Sequence, residues 1–268
     1  MWDAKTKEIR FIYWNTSNID SVSFSSDGWR TAITSSHVVR FWNDAQNASL
    51  ATFYINSPPS SSTFIDSGKQ IITSDAKTLW IFDTKTQELS SIFNSDLVFV
   101  DSKSDEKYVA TVNSSNNLVQ ILTPVENEVV STLQHTEEIN DVIFSKSGHK
   151  IATKSSDNIV RVWNIQTDAL IASFQHQDVV TAITFSPDGQ YLVIGSNHDK
   201  TAKVWDLQKQ KKLVSLEHNY IVSSVNFTPD GKNIITTSVD NKVRIWDFKT
   251  GKILMALDHN LEFRQKLF

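Results

Sequence analysis

The chain has 268 residues, of which 40% are hydrophobic and 21% are charged, a composition typical of a globular protein. Its 26 basic and 30 acidic residues form no block of one sign, so no patch for nucleic acid or anionic lipid is evident. Because cysteine is absent, disulfides, zinc–thiolate sites and thiol nucleophiles are excluded. The polar N-terminus does not resemble a signal peptide, and no apolar run is long enough to span a membrane. We therefore expect a soluble cytoplasmic protein that neither inserts into membranes nor binds nucleic acid.

A short motif recurs along the whole chain: several β-forming residues, an aromatic residue, and then Asp or Asn. Its aromatic positions are Trp2, Trp42, Phe82, Trp163, Trp205 and Trp246, and a degenerate copy has Leu122 in the same place. Successive copies are 40 to 42 residues apart. A constant period of this length indicates that one supersecondary unit is repeated.

Each period contains short apolar stretches separated by polar turns. A stretch that alternates with period two and ends in Phe, such as Val225 to Phe227, precedes a turn such as TPDG at 228–231. Five of the seven glycines fall in this turn, where glycine accepts the positive φ that the turn requires. Four strands of about five residues fit each period, and no segment has a sustained helical periodicity.

These motifs resemble those of the WD40-repeat β-propeller family, from Trp2 to about His259. The resemblance implies an all-β fold, a WD40-type β-propeller of four-stranded antiparallel blades within a single domain, 1–268. It implies six complete blades over about residues 20–257, plus an incomplete seventh blade shared between strands at 8–13 and 261–268. A six-bladed ring with the strand at 8–13 added outside is the alternative. Since the seventh blade lacks strands, we expect the chain to be part of a longer protein.

The resemblance also implies a hydrogen-bonded tetrad in each blade, made of His, Ser or Thr, Asp and Trp. The matching sets are His135, Asp157 and Trp163; His176, Asp199 and Trp205; and His218, Asp240 and Trp246. The strand hydroxyls within reach are Thr153 or Ser155, Ser196, and Thr236 or Ser238. We expect each imidazole to donate to its carboxylate. The same residue types form nucleophilic triads, but repetition in three blades favours a structural role.

Departures from the tetrad are concentrated in the first half of the chain. Ser36 replaces Asp in the first complete blade, Ile55 replaces His in the second, and Leu122 replaces Trp in the third. We expect these blades to open more readily than the later ones.

The fold predicts a non-catalytic scaffold that binds peptides or proteins through a loop face, with Tyr220 as the strongest anchor. The resemblance places binding at the loops on the His side, where the candidate residues are Asn18, Asp20, Glu137, Glu138, Asn140, Ser156, Asp178, His198, Tyr220 and Val239. The acidic side chains there either attract a basic peptide or form a solvated rim.

Basic residues recur two positions before the aromatic, at Arg40, Arg161, Lys203 and Arg244. They either form a ring that binds phosphopeptides or lipid headgroups or, as we favour, pair with acids of the neighbouring blade.

Two other classes of function stay open: the sensor or regulatory propeller of a larger multidomain enzyme and, less favoured, a propeller enzyme. We predict no catalytic residue, metal site or cofactor, and we do not expect a small-molecule ligand. The histidines outside the tetrads, His37, His149 and His198, have no metal-ligand spacing.

Overall fold

The computed structural model describes residues 18–25, 28–43, 48–55, 61–65, 68–74, 78–94, 97–103, 108–113, 115–123 and 128–258. Over this part of the chain the regular structure consists of strands, and no helix there is long and apolar enough to cross a membrane. The predicted strands at 8–13 and 261–268, as well as Trp2 and His259, lie outside the described residues. Contacts along the backbone divide the chain into two compact units, Met1–Thr132 and Leu133–Phe268.

The first unit contains three four-stranded antiparallel sheets, of which the third extends to residue 134. Sheet I has the strands β1 (Ser21–Phe24), β2 (Arg30–Ser35), β3 (Val38–Asn43) and β4 (Ala48–Tyr54). Sheet II has β5 (Ser61–Ile65), β6 (Gln70–Ser74), β7 (Thr78–Asp83) and β8 (Leu89–Asn94). Sheet III has β9 (Leu97–Lys103), β10 (Tyr108–Asn113), β11 (Leu118–Thr123) and β12 (Glu128–Gln134).

The second unit contains three further sheets with the same strand order. Sheet IV has the strands β13 (Ile139–Phe144), β14 (Lys150–Ser155), β15 (Ile159–Asn164) and β16 (Leu170–Gln175). Sheet V has β17 (Val180–Phe185), β18 (Tyr191–Ser196), β19 (Thr201–Asp206) and β20 (Lys211–Glu217). Sheet VI has β21 (Val222–Phe227), β22 (Asn233–Ser238), β23 (Lys242–Asp247) and β24 (Ile253–Asp258). Six sheets in the described residues confirm the predicted four strands per period.

The predicted glycine turns join the first and second strands of the sheets. Gly148, Gly189 and Gly231 have φ between 65° and 70°, and each donates its N–H to the residue three positions earlier, as Gly231 does to Thr228 O over 2.8 Å. Because this left-handed conformation is costly for other residues, glycine in this place allows the hairpin to close tightly. The prediction made from the glycine spacing is confirmed.

The hydrophobic core lies between consecutive sheets rather than inside one sheet. Val160, Val162 and Phe174 of sheet IV pack against Val180 and Ile183 of sheet V in one cluster. A second cluster joins sheets V and VI, and others join sheets I and II and sheets II and III. The second strands β2, β6, β10 and β18 are buried on both faces, which explains why they read as nearly continuous apolar runs.

Candidate functional site

Buried polar networks connect the last strand of one sheet to the next sheet in the second unit. His135, directly after β12, has its Nε2 atom 2.7 Å from Thr153 Oγ1 in β14, and Trp163 Nε1 donates to the same hydroxyl over 3.2 Å. His218 and Trp246 contact Thr236 Oγ1 in the same way, over 2.7 and 2.9 Å. The hydroxyl in each network is therefore that of Thr153 or Thr236, and each imidazole is paired although it is buried.

The aspartates of the predicted tetrads do not bond the histidines, so that part of the prediction was wrong. Asp157 instead accepts from Arg161 Nη2 over 2.6 Å and from the Ser155 hydroxyl over 2.6 Å. Asp240 accepts from both guanidinium ends of Arg244, over 3.1 and 2.6 Å. A guanidinium matches a carboxylate in charge and geometry better than a neutral imidazole does, and it lies four residues away on the adjoining strand.

The basic residues before the aromatics therefore pair within their own sheet, and the predicted pairing with the neighbouring blade was wrong for Arg161, Lys203 and Arg244. Lys203 is bonded to Asp199, four residues before it. Hydrogen bonds from Arg244, followed by the backbone N–H of Lys242, hold the pKa of Asp240 below its usual value against the effect of burial. Since these cations are occupied, they do not form a free ring of positive charge.

Sheet V lacks the network that sheets IV and VI contain. Thr153 lies opposite Arg161 in the strand ladder and Thr236 lies opposite Arg244, but the residue opposite Lys203 is Ile194. Both ring nitrogens of His176 and the Nε1 atom of Trp205 are buried without a hydrogen-bond partner among the described residues. Ser196, the predicted hydroxyl, lies nearer the corner and does not reach them. Burial lowers the pKa of His176 to about 4, so its imidazole is neutral at physiological pH.

The His–Thr–Trp networks are structural rather than catalytic. Thr153 and Thr236 have no exposed surface, and each hydroxyl lies between an imidazole and an indole. A nucleophile needs access to its substrate and an activating base beside it. No group of three His, Asp or Glu side chains among the described residues is arranged to hold a metal ion.

The loops at the His end of the second unit form a continuous band that we call the corner surface. It consists of residues 135–138, 156–158, 176–179, 197–200, 218–221 and 239–241. Backbone hydrogen bonds join neighbouring loops: Ser156 N donates to Glu138 O, His176 N to Asn158 O, Asn197 N to Val179 O, His218 N to Lys200 O, and Val239 N to Ile221 O, over 2.8 to 3.1 Å. These bonds fix the loop backbones before any partner binds, which lowers the entropy cost of binding.

Four apolar side chains project from the corner surface. Val179, Tyr220 and Val239 are 53%, 57% and 58% exposed, and Ile221 is 36% exposed. Lys200 places its ammonium group 5.8 Å from the centre of the Tyr220 ring. Tyr220 and Val239 were predicted from the sequence, whereas Val179 and Ile221 were missed because each directly precedes a strand and reads as its first residue.

The structure brings most of the other predicted binding residues to the same band. Glu137 and Glu138 are exposed, the Ser156 hydroxyl donates to Asn140 Oδ1 over 3.2 Å, and His198 Nε2 lies 3.6 Å from Asp178 Oδ2.

Asn18 and Asp20, which were also predicted to bind partners, belong to the first unit and not to the corner surface. Asp20 Oδ2 accepts from the backbone N–H of Ser36 over 2.7 Å, so Asp20 stabilises a corner of sheet I. This bond gives Asp20 a structural role in the first unit.

Sheets of four antiparallel strands, repeated with a constant period and packed face to face, define an all-β repeat protein with the sheet organisation of a β-propeller. The family model described as eukaryotic translation initiation factor eIF2A matches residues 77–265, which is more than half of the chain. The chain therefore belongs to the eIF2A family. No curated protein matches it.

Proposed function

We propose that this chain is a non-catalytic interaction platform of the translation initiation machinery, and that its corner surface binds protein partners. Membership of the eIF2A family supports the assignment to translation initiation. Loop surfaces that a rigid β scaffold holds in place commonly carry binding functions. We also propose that the sheets are the blades of a WD40-type β-propeller.

The observation that carries this proposal is the group of apolar side chains on the corner surface. Val179, Tyr220 and Val239 are each more than half exposed, and they stand on loops whose backbones are hydrogen bonded to one another. Tyrosine is enriched among the residues that dominate binding energy, which makes Tyr220 the expected anchor, and the two valines would extend the apolar contact around it. The Thr153 and Thr236 hydroxyls and the Asp157 and Asp240 carboxylates are engaged in structural bonds, so these groups are not placed to act as catalytic residues.

Capture of partners by a double variant, Tyr220→Ala with Val239→Ser, tests the proposal. Wild type and variant are immobilised, exposed to cell extract, and compared by mass spectrometry after their melting temperatures have been matched. Leu170→Ser is the control, since Leu170 is 50% exposed at the opposite end of sheet IV. We expect initiation components to be retained by wild type and control and reduced at least tenfold by the double variant. Equal capture by all three proteins would overturn the proposal.

The prediction that nucleic acid is not a partner stays a prediction. Translation initiation takes place on messenger RNA, so the family assignment makes a direct measurement necessary. Titration of a fluorescent single-stranded RNA at low and physiological salt is the test, because binding through phosphates weakens steeply as salt rises.

A further inference from the structure

The corner surface is acidic as well as apolar. Its six loops carry six carboxylates and a single lysine, Lys200. Asp157, Asp199 and Asp240 are bonded to a cation of their own sheet. The other three carboxylates, those of Glu137, Glu138 and Asp178, have no lysine or arginine partner among the described residues. A partner that carries positive charge would therefore complement this band.

A cavity of about 500 Å³ opens in the corner surface beside sheet V, and Gln177, Asp178, Ser196, His198 and Asp199 line it. Every one of these residues offers a polar side chain, and two of them are carboxylates. The cavity volume falls within the range of sites that enclose a ligand group.

In this cavity, one carboxylate oxygen of Asp178 lacks a hydrogen-bond donor. Its Oδ1 atom accepts from the backbone N–H of Val179 over 2.6 Å, whereas its Oδ2 atom is shielded from solvent and has no hydrogen-bond partner in the part of the chain that the structure describes. His198 Nε2 lies 3.6 Å from this oxygen, which is too far for a hydrogen bond. A carboxylate oxygen without water or a donor is costly, so a donor from a ligand would be stabilising.

His198 does not prevent a ligand from reaching Asp178. Its side chain is 84% exposed and therefore free to swing away from the carboxylate into solvent. The apolar side chains lie on the adjoining loops, because Val179 accepts from Asn197, and Lys200 accepts from His218 and contacts the Tyr220 ring. The acidic cavity and the apolar side chains thus form one continuous surface.

We propose that this cavity binds the guanidinium group of an arginine in a partner protein, while apolar residues next to that arginine lie on Val179, Tyr220 and Val239. The inference rests on the proposed function and names the chemistry of its partner. An arginine is favoured over a lysine because a planar group with five donors can satisfy Asp178 Oδ2 and the neighbouring oxygen atoms together. A free polyamine would leave the apolar side chains unused, and a nucleic acid would bring phosphates toward carboxylates.

Titration with short peptides tests the inference directly. The probe is acetyl-Gly-Leu-Arg-Leu-Gly-amide, compared with analogues that contain citrulline or lysine in place of arginine, and binding is followed by the amide NMR shifts of the ¹⁵N-labelled chain. Citrulline keeps the shape of arginine and removes its charge. We expect the arginine peptide to shift the amides of residues 177–179, 196–199 and 220, and to bind at least tenfold more tightly than either analogue.

Asp178→Asn should abolish the preference for arginine while leaving the fold intact, and Asp230→Asn, at an exposed carboxylate on the opposite end, is the matched control. Equal binding of the arginine and citrulline peptides, or an unchanged preference in Asp178→Asn, would overturn the inference. Equal binding of the lysine peptide would overturn the choice of a guanidinium. Tighter binding of spermidine than of the peptide, at the same amides, would overturn the assignment to a protein segment.

These outcomes are separate from those of the proposed function. If Asp178→Asn loses the arginine peptide while Tyr220→Ala with Val239→Ser still captures initiation components, the proposed binding surface is wrong and the arginine site stands. If the double variant loses its partners while the peptides do not distinguish arginine from citrulline, the surface stands and the arginine site is wrong.

Discussion

A single residue, Ile194, decides whether the polar network of sheet V forms. It occupies the ladder position of Thr153 and Thr236 and is completely buried, so His176 and Trp205 face a methyl group where the equivalent residues of sheets IV and VI face a hydroxyl. Burial of unpaired donors and acceptors costs about 1–3 kcal/mol for each group. Sheet V therefore contains a local defect that its neighbours lack.

We expect Ile194→Thr to be neutral or stabilising, although a buried hydroxyl in place of a methyl group is ordinarily destabilising. The new hydroxyl can bond His176 and Trp205, which offsets the loss of apolar burial. The reverse change, Thr236→Ile, should cost about 2–4 kcal/mol because it removes the hydroxyl that bonds both His218 and Trp246. Urea unfolding measures both changes, and slower exchange of the Trp205 indole proton reports the new bond. A loss above about 2 kcal/mol in Ile194→Thr would contradict this account.

Individual buried histidines also determine how stability depends on pH. Burial lowers the pKa of His135, His176 and His218, for His176 to about 4. The unfolded chain therefore binds more protons than the folded chain below pH 6.5. The contribution of these buried neutral histidines to the free energy of unfolding is fully present above pH 6.5. It is lost as the pH falls toward 4, by ~3 kcal/mol for His176. Unfolding measured across this range should show a smaller slope in His176→Asn than in wild type. The exposed His198→Gln serves as control, and an equal slope in all three proteins would show that His176 does not titrate in this way.

The pair of Asp240 and Arg244 is the most buried ion pair described, with both side chains 7% exposed. Asp240→Ala would leave a buried guanidinium without its counter-charge, and we expect a loss of about 3 kcal/mol. Asp230→Ala, at an exposed turn, should change stability by less than about 0.5 kcal/mol. Equal losses in the two variants would mean that Arg244 finds another partner when Asp240 is removed.

Among the strands, side chains at equivalent positions of different sheets differ in how much of their surface is exposed. Phe174 and Leu216, in the last strands of sheets IV and V, are 4% and 0% exposed because the next sheet packs on them. Leu257 has the same ladder position in β24 but is 53% exposed. Val22 and Phe24 in β1 are also exposed, whereas Val142 and Phe144 in β13 are buried. The last strands of sheets IV and V are thus buried by the sheet that follows them within the second unit, and β24 is not.

Leu216→Ala should therefore cost about 2–5 kcal/mol, as is usual for a large side chain removed from a packed core. Leu257→Ala should cost less than about 1 kcal/mol, since more than half of that side chain is already in contact with solvent. Chemical unfolding of the two variants beside wild type is the measurement. A large loss from Leu257→Ala would show that another part of the chain covers β24.

The sequence predicts the elements well because the repeat supplies several independent signals. The period, the glycine turns and the position of each Trp together give four strands in every repeat. The bonds inside the tetrads could not be predicted, because strand pairing decides whether Thr153 or Ser155 faces His135. The importance of Ile194 could not be predicted, because the corner at 197–200 is one residue longer than its counterpart at 156–158. When the repeats are aligned on their Trp residues, this extra residue shifts the position that corresponds to Thr153. Arg161 and Arg244 were expected to pair with acids of the neighbouring blade, but they pair with Asp157 and Asp240 at the corners of their own sheets.

At the scale of the whole molecule, the two ends of the sheets in the second unit differ in character. The corner surface carries six carboxylates and one lysine beside its exposed apolar groups, whereas the opposite turns carry five lysines, Lys146, Lys209, Lys232, Lys249 and Lys252, together with Asp168, Asp188 and Asp230. This division supports the assignment of protein binding to the corner surface. Partner proteins of this eIF2A-family chain should therefore bind at the corner surface.

Hydrogen exchange of backbone amides, measured with and without a captured partner, tests whether partners bind at the corner surface. We predict slower exchange on binding in the loops at 176–179, 197–200, 218–221 and 239–241, and unchanged exchange in the turns at 186–190, 228–232 and 248–252. Protection of those turns, with the corner loops unchanged, would overturn this prediction and place the binding surface at the opposite end.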